Sequence, residues 1–323
     1  MGEWIWGLSA LGEFIETILF SAYVRREGAP LSGIVIAPPD TGKSEMLLRY
    51  RHNRGLYYIT DATSYGIITN LINDIVAGRI NHIIIPDFLK VLSRGKVTAR
   101  EFVSLLNSLI EEGVTSIHTK FMNIPLLGRA RCGFLSSMTV EEYNWKKKAW
   151  KSVGFTSRFI PFFFDYTKDD LERARADVLF ERNVFEERTL DFPEKEVDVK
   201  MDEKYRVRLK DIAEFIGNVN RDFTYFRAIK RVVLFVKSHA LLKGRVEVTD
   251  EDITFLKAIT PFWYTGTGGS DCDYFIIRCL PCTREELIET LRIYSVTTIK
   301  SRLERLMKLG VVIERDNMLE TKI

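Results

Sequence analysis

A glycine, a lysine and a serine follow one another at Gly42-Lys43-Ser44, between an apolar run at residues 34–36 and a helical pattern. The apolar run has the composition of a buried strand. Backbone N–H groups at a helix start bind phosphate, a lysine reaches the β- and γ-phosphates of a nucleotide, and a serine hydroxyl holds Mg²⁺. The predicted phosphate loop, a Walker A motif, comprises Ala37, Pro38, Pro39, Asp40, Thr41, Gly42, Lys43 and Ser44. Alanine replaces the usual glycine at its first position, and this smallest side chain is expected to leave the loop intact.

An acid ends another strongly apolar run. Asp87 follows Ile-Ile-Ile-Pro at residues 83–86. An acid at the tip of a strand beside a phosphate loop holds the hydration shell of Mg²⁺, as in the Walker B pattern. The predicted metal-holding residues are therefore Ser44 and Asp87, and the predicted cofactors are ATP and Mg²⁺.

The residue after Asp87 is Phe88, at the position where most hydrolysing proteins of this class carry a glutamate that activates water. Either another acid serves as the base, or hydrolysis is slow. Asp61 ends a neighbouring apolar run and is the predicted substitute base. Glu111 and Glu112 are less well placed, because they stand at the end of a helical pattern.

A small polar residue is expected at the tip of a strand between the Walker A and Walker B strands. In this sensor 1 role, its hydroxyl would touch the γ-phosphate or position water. The strand predicted at 131–136 leads into such residues. Thr139 is the first choice for this role, and Ser137 is the second.

Apolar strands alternate with helical segments over residues 31–165, which predicts a parallel sheet flanked by helices. The predicted strands are 33–37, 56–60, 82–86, 131–136 and 159–164, and the predicted helices are 43–52, 66–77 and 99–112. Residues 1–30 have a helical pattern, and this amphipathic segment is expected to pack on the sheet domain. The predicted fold class is α/β, with a nucleotide-binding core at 1–165, a helical domain at 166–264 and a small domain at 271–323.

The last domain has a recognisable order of elements. Residues 284–291 and 296–309 read as helices, and residues 311–315 and 319–323 read as a ribbon that turns at Asp316-Asn317. Helix, turn, helix and ribbon form the layout of a winged helix. The glycine-rich residues 265–270 predict a flexible linker before it.

The motif Ser157-Arg158-Phe159 precedes the last predicted strand of the core. With this motif the chain resembles the AAA+ ATPases, and among them the branch of the minichromosome maintenance (MCM) helicases and magnesium chelatase. In that branch the Ser-Arg-Phe motif supplies an arginine finger to the ATP of the neighbouring subunit. The resemblance therefore implies that Arg158 acts on the nucleotide of a second copy of this chain.

The resemblance extends over residues 31–262. The segments 226–231, 238–242 and 246–252 follow the order of the MCM lid: an arginine at a helix start, a His-Ala pair and a Val-Thr-x-x-Asp turn. This order implies that residues 166–264 form an AAA+ lid with Arg227 as its sensor 2 residue, and Arg231 is the fallback. His239 is expected to pack or cap rather than to catalyse.

Two extended stretches, 114–119 and 122–127, resemble the hairpin that enters the ring pore in this branch. A cation beside an aromatic ring suits a phosphate backbone with a stacked base. The predicted nucleic-acid contacts are His118, Lys120 and Phe121, and the alternative is a solvent-exposed hairpin without this role. The loop Ser93-Arg94-Gly95-Lys96 is a weaker candidate.

Two basic helical patterns are further candidates. Residues 144–151 read Asn-Trp-Lys-Lys-Lys-Ala-Trp-Lys, which fits DNA contact, a subunit interface, or a solvated helix with two buried tryptophans. In the predicted winged helix, Lys300 and Arg302 are expected to meet phosphates or bases. Winged helices also serve as protein contacts, so both partners stay open.

The composition excludes several classes. The net charge of the 323 residues is only +3, so the chain is no polycation, and any basic surface is local. Four cysteines do not make a disulfide framework, which favours a reducing, cytoplasmic compartment, and the lone Cys279-Leu280-Pro281-Cys282 motif does not predict zinc. Acidic residues interrupt the apolar N-terminal segment, so it is expected to be neither a signal peptide nor a membrane span.

These features predict an ATP-dependent, MCM-like AAA+ motor that acts on DNA as a helicase or translocase, in replication or mobile-element maintenance. The alternatives are an ATP switch that binds DNA and loads or recruits a partner, and a protein remodeller. The expected partners are further copies of the chain in a hexameric ring or helical filament, DNA, and a replication or recombination protein. No membrane contact is expected.

Overall fold

Five short apolar runs form one parallel sheet in the computed structural model, which describes residues 8–26, 28–118, 123–166, 168–180, 186–219, 225–263, 271–292, 294–308 and 310–321. The strands are β1 (Gly33–Ile36), β2 (Leu56–Tyr58), β3 (His82–Ile85), β4 (Val114–His118), β5 (Asn123–Ala130), β6 (Gly133–Met138), β7 (Ile160–Phe163), β8 (Cys282–Thr283), β9 (Val312–Arg315) and β10 (Met318–Thr321). The helices are α1 (Ser9–Phe20), α2 (Lys43–Leu48), α3 (Ser64–Asn70), α4 (Ile72–Val76), α5 (Phe88–Leu92), α6 (Lys96–Leu109), α7 (Val140–Ser152), α8 (Lys168–Leu179), α9 (Glu203–Val219), α10 (Tyr225–Leu242), α11 (Asp250–Ile259), α12 (Asp271–Cys279), α13 (Arg284–Thr290) and α14 (Val296–Lys308).

The main sheet has the strand order β2-β3-β6-β1-β7, and all its neighbours run parallel. Gly33 of β1 lies opposite Leu135 of β6 on one side and Ile160 of β7 on the other. Strands β1, β3, β6 and β7 are buried along their whole length, as expected for a parallel sheet covered on both faces. The predicted α/β class with a parallel sheet is confirmed.

Aromatic side chains cover both faces of the sheet. Phe14 of α1 packs against Phe162 with ring centroids 4.8 Å apart, and it approaches Gly33 so closely that a Cβ there would lie 3.2 Å from the ring. On the other face, Phe88 packs against Phe134 at 5.1 Å and against Trp150 of α7 at 5.5 Å. The N-terminal helix therefore packs on the sheet, as the sequence predicts.

Most predicted elements of the core lie within a few residues of their predicted positions. The predicted helix 66–77 is instead two helices, α3 and α4, separated at Leu71. Thr69, Asn70 and Asn73 surround this break, and such short polar side chains favour helix ends over helix interiors. The predicted N-terminal helix is shorter than residues 1–30: α1 spans Ser9–Phe20, and residues 1–7 lie outside the described part.

An extended strap, residues 186–202, joins the core to helices α9, α10 and α11. Val197 pairs with the core, because its N–H donates to Tyr23 O (2.7 Å) and its carbonyl accepts from Arg25 N (2.8 Å). Lys200 pairs with the turn before α11: its N–H donates to the Val246 carbonyl (2.8 Å), and its own carbonyl accepts from Val248 N (3.0 Å). The strap thus binds both the sheet domain and the helical segment.

A buried ion cluster also links α1 to the helical segment. His239 of α10 contacts Asp252 of α11 through Nδ1 (2.6 Å) and Glu13 of α1 through Nε2 (3.1 Å). Arg245 binds both oxygens of Asp252, at 2.7 and 2.9 Å, and Lys243 pairs with Glu13. His239 is 1% exposed and has the packing role that the sequence predicts.

The C-terminal segment contains α12, α13, α14 and a three-stranded antiparallel sheet of order β8-β10-β9. Asp316 and Asn317 turn β9 into β10 with φ angles of 49° and 63°, as type I′ hairpin turns require. The two predicted helices and the ribbon are present, whereas α12 had no predicted counterpart. In the described parts of the chain, every helix is too short or too polar to span a bilayer.

Candidate functional site

Three adjacent strands, β1, β6 and β3, end at the same edge of the sheet, beside a cavity of about 360 Å³. Parallel strands all end at one edge, so the segments that follow them meet although they are distant in sequence. The described residues that line the cavity are Pro39, Asp40, Thr41, Gly42, Lys43, Ser44, Glu45, Asp87, Ser137, Met138, Thr139 and Glu142. The structure therefore brings the predicted phosphate loop, the predicted Walker B acid and both sensor candidates together.

The loop before α2 has the backbone that an anion site needs. Gly42 has φ 73°, in the left-handed region that glycine adopts without strain, and α2 begins at the next residue. The N–H groups of the first helical turn consequently face the cavity end of the loop. Ala37 is buried, donates its N–H to Met138 O (3.3 Å) and has no left-handed φ, so its methyl group is accommodated.

Lys43 lies inside the loop that it is predicted to serve. Its Nζ donates a hydrogen bond to the carbonyl of Pro38 at 2.9 Å. Burial lowers the pKa of Lys43, and the carboxylates of Glu142 and Asp40 act in the opposite direction. A lysine held back on its own loop can turn to an anionic ligand at the cost of one hydrogen bond.

Two serine hydroxyls from different strand ends converge on one carbonyl. Ser44 Oγ donates to Pro86 O at 3.1 Å, and Ser137 Oγ donates to the same oxygen at 2.5 Å. The two hydroxyl oxygens are 3.3 Å apart. Ser137, the second choice from sequence, is therefore the hydroxyl that lies beside Ser44.

The hydroxyl of Thr139, the first choice for sensor 1, caps helix α7. Its Oγ1 accepts from Glu142 N (3.3 Å), and its own N–H donates to Glu142 Oε2 (2.8 Å), which forms a capping box at the start of α7. Thr139 lines the cavity, but its hydroxyl is used as a helix cap. Glu142 was not among the residues predicted from the sequence, although Thr-x-x-Glu is the sequence signature of such a box.

Asp87 lies where the Walker B prediction requires it, at the end of β3 and in the cavity lining. It caps α5 by accepting from Leu89 N (3.1 Å), and its Oδ2 is 4.0 Å from Lys90 Nζ. A carboxylate and the Ser44 hydroxyl are hard oxygen ligands of the kind that Mg²⁺ binds, directly or through water. The donor set at this edge of the sheet therefore fits Mg²⁺ with a polyphosphate.

Asp61, the predicted substitute base, is not in this cavity. It follows edge strand β2, so β3 lies between it and the strands β6 and β1. Its carboxylate is exposed and pairs with Arg94, whose Nε donates to Oδ1 at 2.7 Å. The hydrogen bond from Arg94 lowers the pKa of Asp61, which makes it a weaker base. The prediction of Asp61 as the base is corrected accordingly.

One glutamate and three arginines form a cluster, called the arginine cluster below: Glu111, Arg158, Arg227 and Arg231. Glu111 Oε1 is 3.4 Å from Arg227 Nε, and Glu111 Oε2 is 3.7 Å from Arg231 Nη2 and 4.0 Å from Arg158 Nε. Arg227 Nη1 also donates to Ser157 Oγ at 2.7 Å. Burial lowers the pKa of Arg231 to about 9. The predicted arginine finger and sensor 2 residue therefore share one carboxylate.

This arginine cluster lies at the end of the sheet where the parallel strands begin, whereas the cavity lies at the end where they finish. Arg158 stands two residues before β7, whose first residue, Ile160, pairs with Gly33, the first residue of β1. The phosphate loop follows the last residue of β1. One strand length of roughly 10 Å therefore separates the two edges. The cluster does not line the cavity of its own chain.

The predicted nucleic-acid residues have mixed outcomes. Strands β4 and β5 form the expected hairpin, and His118 is the last residue of β4, whereas Lys120 and Phe121 lie outside the described residues. Lys300 is exposed on α14. Arg302 instead lies 3.6 Å from the buried carboxylate of Asp273, because α12 packs against α14.

The two tryptophans of the basic helix α7 differ in burial. Trp150 is buried and packs edge-on against Phe155 at 5.1 Å. Trp145 is 73% exposed, with Lys146 Nζ 4.4 Å from its ring centroid. No protein-family model and no curated protein sequence matches this chain.

Proposed function

We propose that this protein is an Mg²⁺-dependent ATPase of the AAA+ class that works as an oligomeric, MCM-like motor on DNA. The observation that carries the proposal is the meeting of three predicted motifs at one cavity. The glycine-lysine-serine loop, Asp87 and the Ser137 hydroxyl follow the adjacent strands β1, β3 and β6, and all three line the same space. This combination of helix-start backbone N–H groups, one lysine and hard oxygen ligands is the one that phosphate-binding sites use.

The roles of the cavity residues follow from their chemistry. Lys43 and the N–H groups at the start of α2 bind the β- and γ-phosphates, and Ser44 and Asp87 hold the metal. Mg²⁺ supplies neutralisation of the developing charge on the phosphates when it is bound. Ser137 is assigned the sensor 1 role in place of Thr139, because its hydroxyl lies 3.3 Å from that of Ser44.

Oligomerisation is proposed from the position of the arginine cluster. Arg158 and Arg227 stand at the opposite edge of the sheet from the cavity, so neither reaches the nucleotide of its own chain. Both are partly exposed, at 13% and 31% of their side chains. A second copy that brings its cavity to this end of the sheet would receive both guanidinium groups. Until then Glu111 holds Arg227 at 3.4 Å, and Arg158 donates to Gly154 O at 2.7 Å and pairs with Glu112 at 3.4 Å.

The remaining parts of the proposal concern the other domains and DNA. Helices α8 to α11 are assigned to the lid, and the segment from α12 to β10 to a winged helix. The ribbon of β4 and β5 is a separate two-stranded sheet that packs on α4 through β5, and Leu127 on it is fully exposed, which supports an exposed side of the hairpin for the polymer. Free thiols at all four cysteines support a cytoplasmic location.

A second candidate function, the slow ATP switch, has one observation in its favour. Phe88 occupies the position of the usual catalytic glutamate, and its ring is fully buried against Phe134 and Trp150. The chain therefore lacks the usual base at that position. A protein that binds ATP and hydrolyses it slowly would recruit or load a partner rather than move along DNA.

One assay series tests the proposal. ATP hydrolysis is measured with and without single-stranded and double-stranded DNA, for the wild type and Lys43→Ala. The matched control is Lys210→Ala, at an exposed lysine of α9. We expect Mg²⁺-dependent hydrolysis that DNA stimulates and that Lys43→Ala abolishes together with nucleotide binding. Nucleotide binding that survives Lys43→Ala would reject the phosphate-loop assignment.

Strand displacement on a forked duplex then separates motor from switch. A motor unwinds the duplex at a rate that follows its ATPase rate. A switch binds DNA in the ATP state and displaces no strand. ATPase activity that ignores DNA altogether would favour the protein remodeller.

A further inference from the structure

The cavity contains few carboxylates that can receive a proton from water. Among the described residues its acidic lining consists of Asp40, Glu45, Asp87 and Glu142. Asp87 caps α5 and belongs to the metal ligands proposed above. Asp40 and Glu45 are exposed, the first in the phosphate loop and the second on α2. Glu142 alone stands at the end of the central strand β6, between the strands that carry Lys43 and Asp87.

The position of the Glu142 carboxyl group is fixed by its own helix. Oε2 accepts the N–H of Thr139 at 2.8 Å, and the backbone N–H of Glu142 donates to Thr139 Oγ1 at 3.3 Å. No hydrogen bond to Oε1 is present among the described residues. One carboxylate oxygen is therefore anchored by the helix cap, and the residue itself lines the cavity together with Thr139.

Electrostatics connects Glu142 with the phosphate loop. Among the charged groups that act on Lys43, the carboxylate of Glu142 has the largest effect and Asp40 comes next. Glu142 therefore lies near the lysine that is proposed to bind the β- and γ-phosphates, and both residues line the same cavity.

We propose that Glu142 is the general base that replaces the absent glutamate at Phe88, an inference that rests on the proposed ATPase function. The water oxygen attacks the γ-phosphorus while one water proton passes to the Glu142 carboxylate. The bond between the γ-phosphorus and the bridging oxygen breaks, and its electron pair stays on the β-phosphate of ADP. The products are ADP and inorganic phosphate, and the proton leaves Glu142 to solvent or to the phosphate.

The capping box makes the test specific, because glutamine can replace glutamate in it while losing the ability to accept a proton. Glu142→Gln is expected to slow single-site turnover by about 10²-fold or more, the usual scale for a general base. ATP affinity should be unchanged or tighter, since a negative charge near the phosphates is removed. Binding is measured with a fluorescent nucleotide, and turnover by phosphate release.

The chain contains a matched control for the structural role of Glu142. Thr283 and Glu286 form the same capping box at the start of α13, with Thr283 N donating to Glu286 Oε2 at 2.7 Å. Glu286→Gln should change the melting temperature about as much as Glu142→Gln does, and it should leave the turnover number unchanged. A purely structural Glu142 would make the two variants alike in turnover as well.

The outcomes separate this inference from the proposed function. A wild type that neither binds nor hydrolyses ATP overturns the proposed function, and the inference falls with it. A wild type that hydrolyses ATP, with Glu142→Gln equally fast, overturns the inference alone. The inference is also overturned, and the proposed function is not, if Asp61→Asn slows turnover and Glu142→Gln does not. Weakened ATP binding in Glu142→Gln at an unchanged turnover number would assign Glu142 to the fold of the site and also reject it as the base.

Discussion

The side-chain hydroxyls of Ser44 and Ser137 are 3.3 Å apart, although the two residues belong to the phosphate loop and to the end of β6. Both hydroxyls donate to the carbonyl of Pro86, the residue before Asp87. One backbone carbonyl therefore ties together the ends of three strands. A ligand that draws Ser44 away from this carbonyl would change the surroundings of Ser137 at the same time.

Replacing Ser137 by alanine is expected to slow ATP hydrolysis about tenfold or more, because it removes the hydroxyl beside Ser44, the proposed metal ligand. The neighbouring Ser136→Ala is the control. Ser136 Oγ donates to Ile85 O at 2.5 Å and is buried, so its loss costs the same kind of hydrogen bond, about 1 kcal/mol, outside the cavity. Steady-state ATPase assays and thermal melts of both variants provide the comparison. Equal rates for the two variants would exclude Ser137 from the sensor role.

Phe88→Glu is expected to destabilise the protein rather than to restore a catalytic base. The Phe88 side chain is fully buried in an aromatic cluster with Phe134, Phe155 and Trp150, so a glutamate there would be a buried charge without a partner. The loss of the ring alone costs about 3–5 kcal/mol, and the charge adds to this. Phe88→Leu should retain ATPase activity with a smaller loss of melting temperature. A folded Phe88→Glu variant with faster hydrolysis would contradict this account.

The positions of β1 and β3 are well predicted from the sequence, because each is an apolar run followed by a polar motif. Asp87 was predicted from the end of such a run, and Lys43 from the Gly42-Lys43-Ser44 motif between an apolar run and a helical pattern. The distance of Asp61 from the cavity could not be predicted in the same way. Its place after a strand is visible in the sequence, but the edge position of β2 and the pairing with Arg94 depend on the strand order and on a loop 33 residues away.

The same limit applies to charged residues on helices. Arg302 has the sequence signature of an exposed basic helix face, yet α12, which was not predicted, brings a buried Asp273 to within 3.6 Å of it. The site residue Glu142 was overlooked for the opposite reason. Its Thr-x-x-Glu spacing is legible as a helix cap, and only the three-dimensional position of that cap shows that it lines the cavity.

The location of Arg158 predicts complementation between two inactive variants. Arg158→Ala should lower ATP hydrolysis by about 10³-fold or more, since an arginine finger stabilises the developing charge on the transferred phosphate. Lys43→Ala should be inactive because it does not bind ATP. In a mixture, an interface that joins the intact cavity of one variant to the intact Arg158 of the other retains both groups, and part of the activity should return.

The control for this experiment is co-assembly itself. Size-exclusion chromatography with two differently tagged variants shows whether mixed oligomers form. Mixed oligomers that stay inactive would mean that Arg158 does not act on a neighbour. Arg158→Ala that is fully active alone would remove the finger assignment, and Arg227→Ala in the same mixture tests the second guanidinium group of the cluster.

The buried cluster around His239 predicts a pH-dependent stability. Burial by itself would lower the pKa of His239, but hydrogen bonds with Asp252 and Glu13 outweigh it and raise the pKa above its ordinary value. Burial would raise the pKa of Asp252, and the hydrogen bonds from His239 and Arg245 outweigh it and lower that pKa. The charged groups that face the imidazole are thus Glu13 from α1 and Asp252 from α11, with Lys243 and Arg245 beside them.

Because the pKa of His239 is higher in the folded than in the unfolded chain, its contribution is complete below the unfolded value of about 6.5 and is lost as the pH rises through the folded value. The lowered pKa of Asp252 places the acid limit of the cluster below about pH 4. We expect the melting temperature to fall by about 3–6 °C between pH 6 and pH 8.5, from a charged hydrogen bond of about 2 kcal/mol. His239→Asn should reduce this dependence of the melting temperature on pH. The control is His52→Asn, which should leave it unchanged, because the wild-type His52 side chain is 67% exposed. Thermal unfolding at constant ionic strength measures all three proteins, and an unaltered slope in His239→Asn would show that other groups cause the pH dependence.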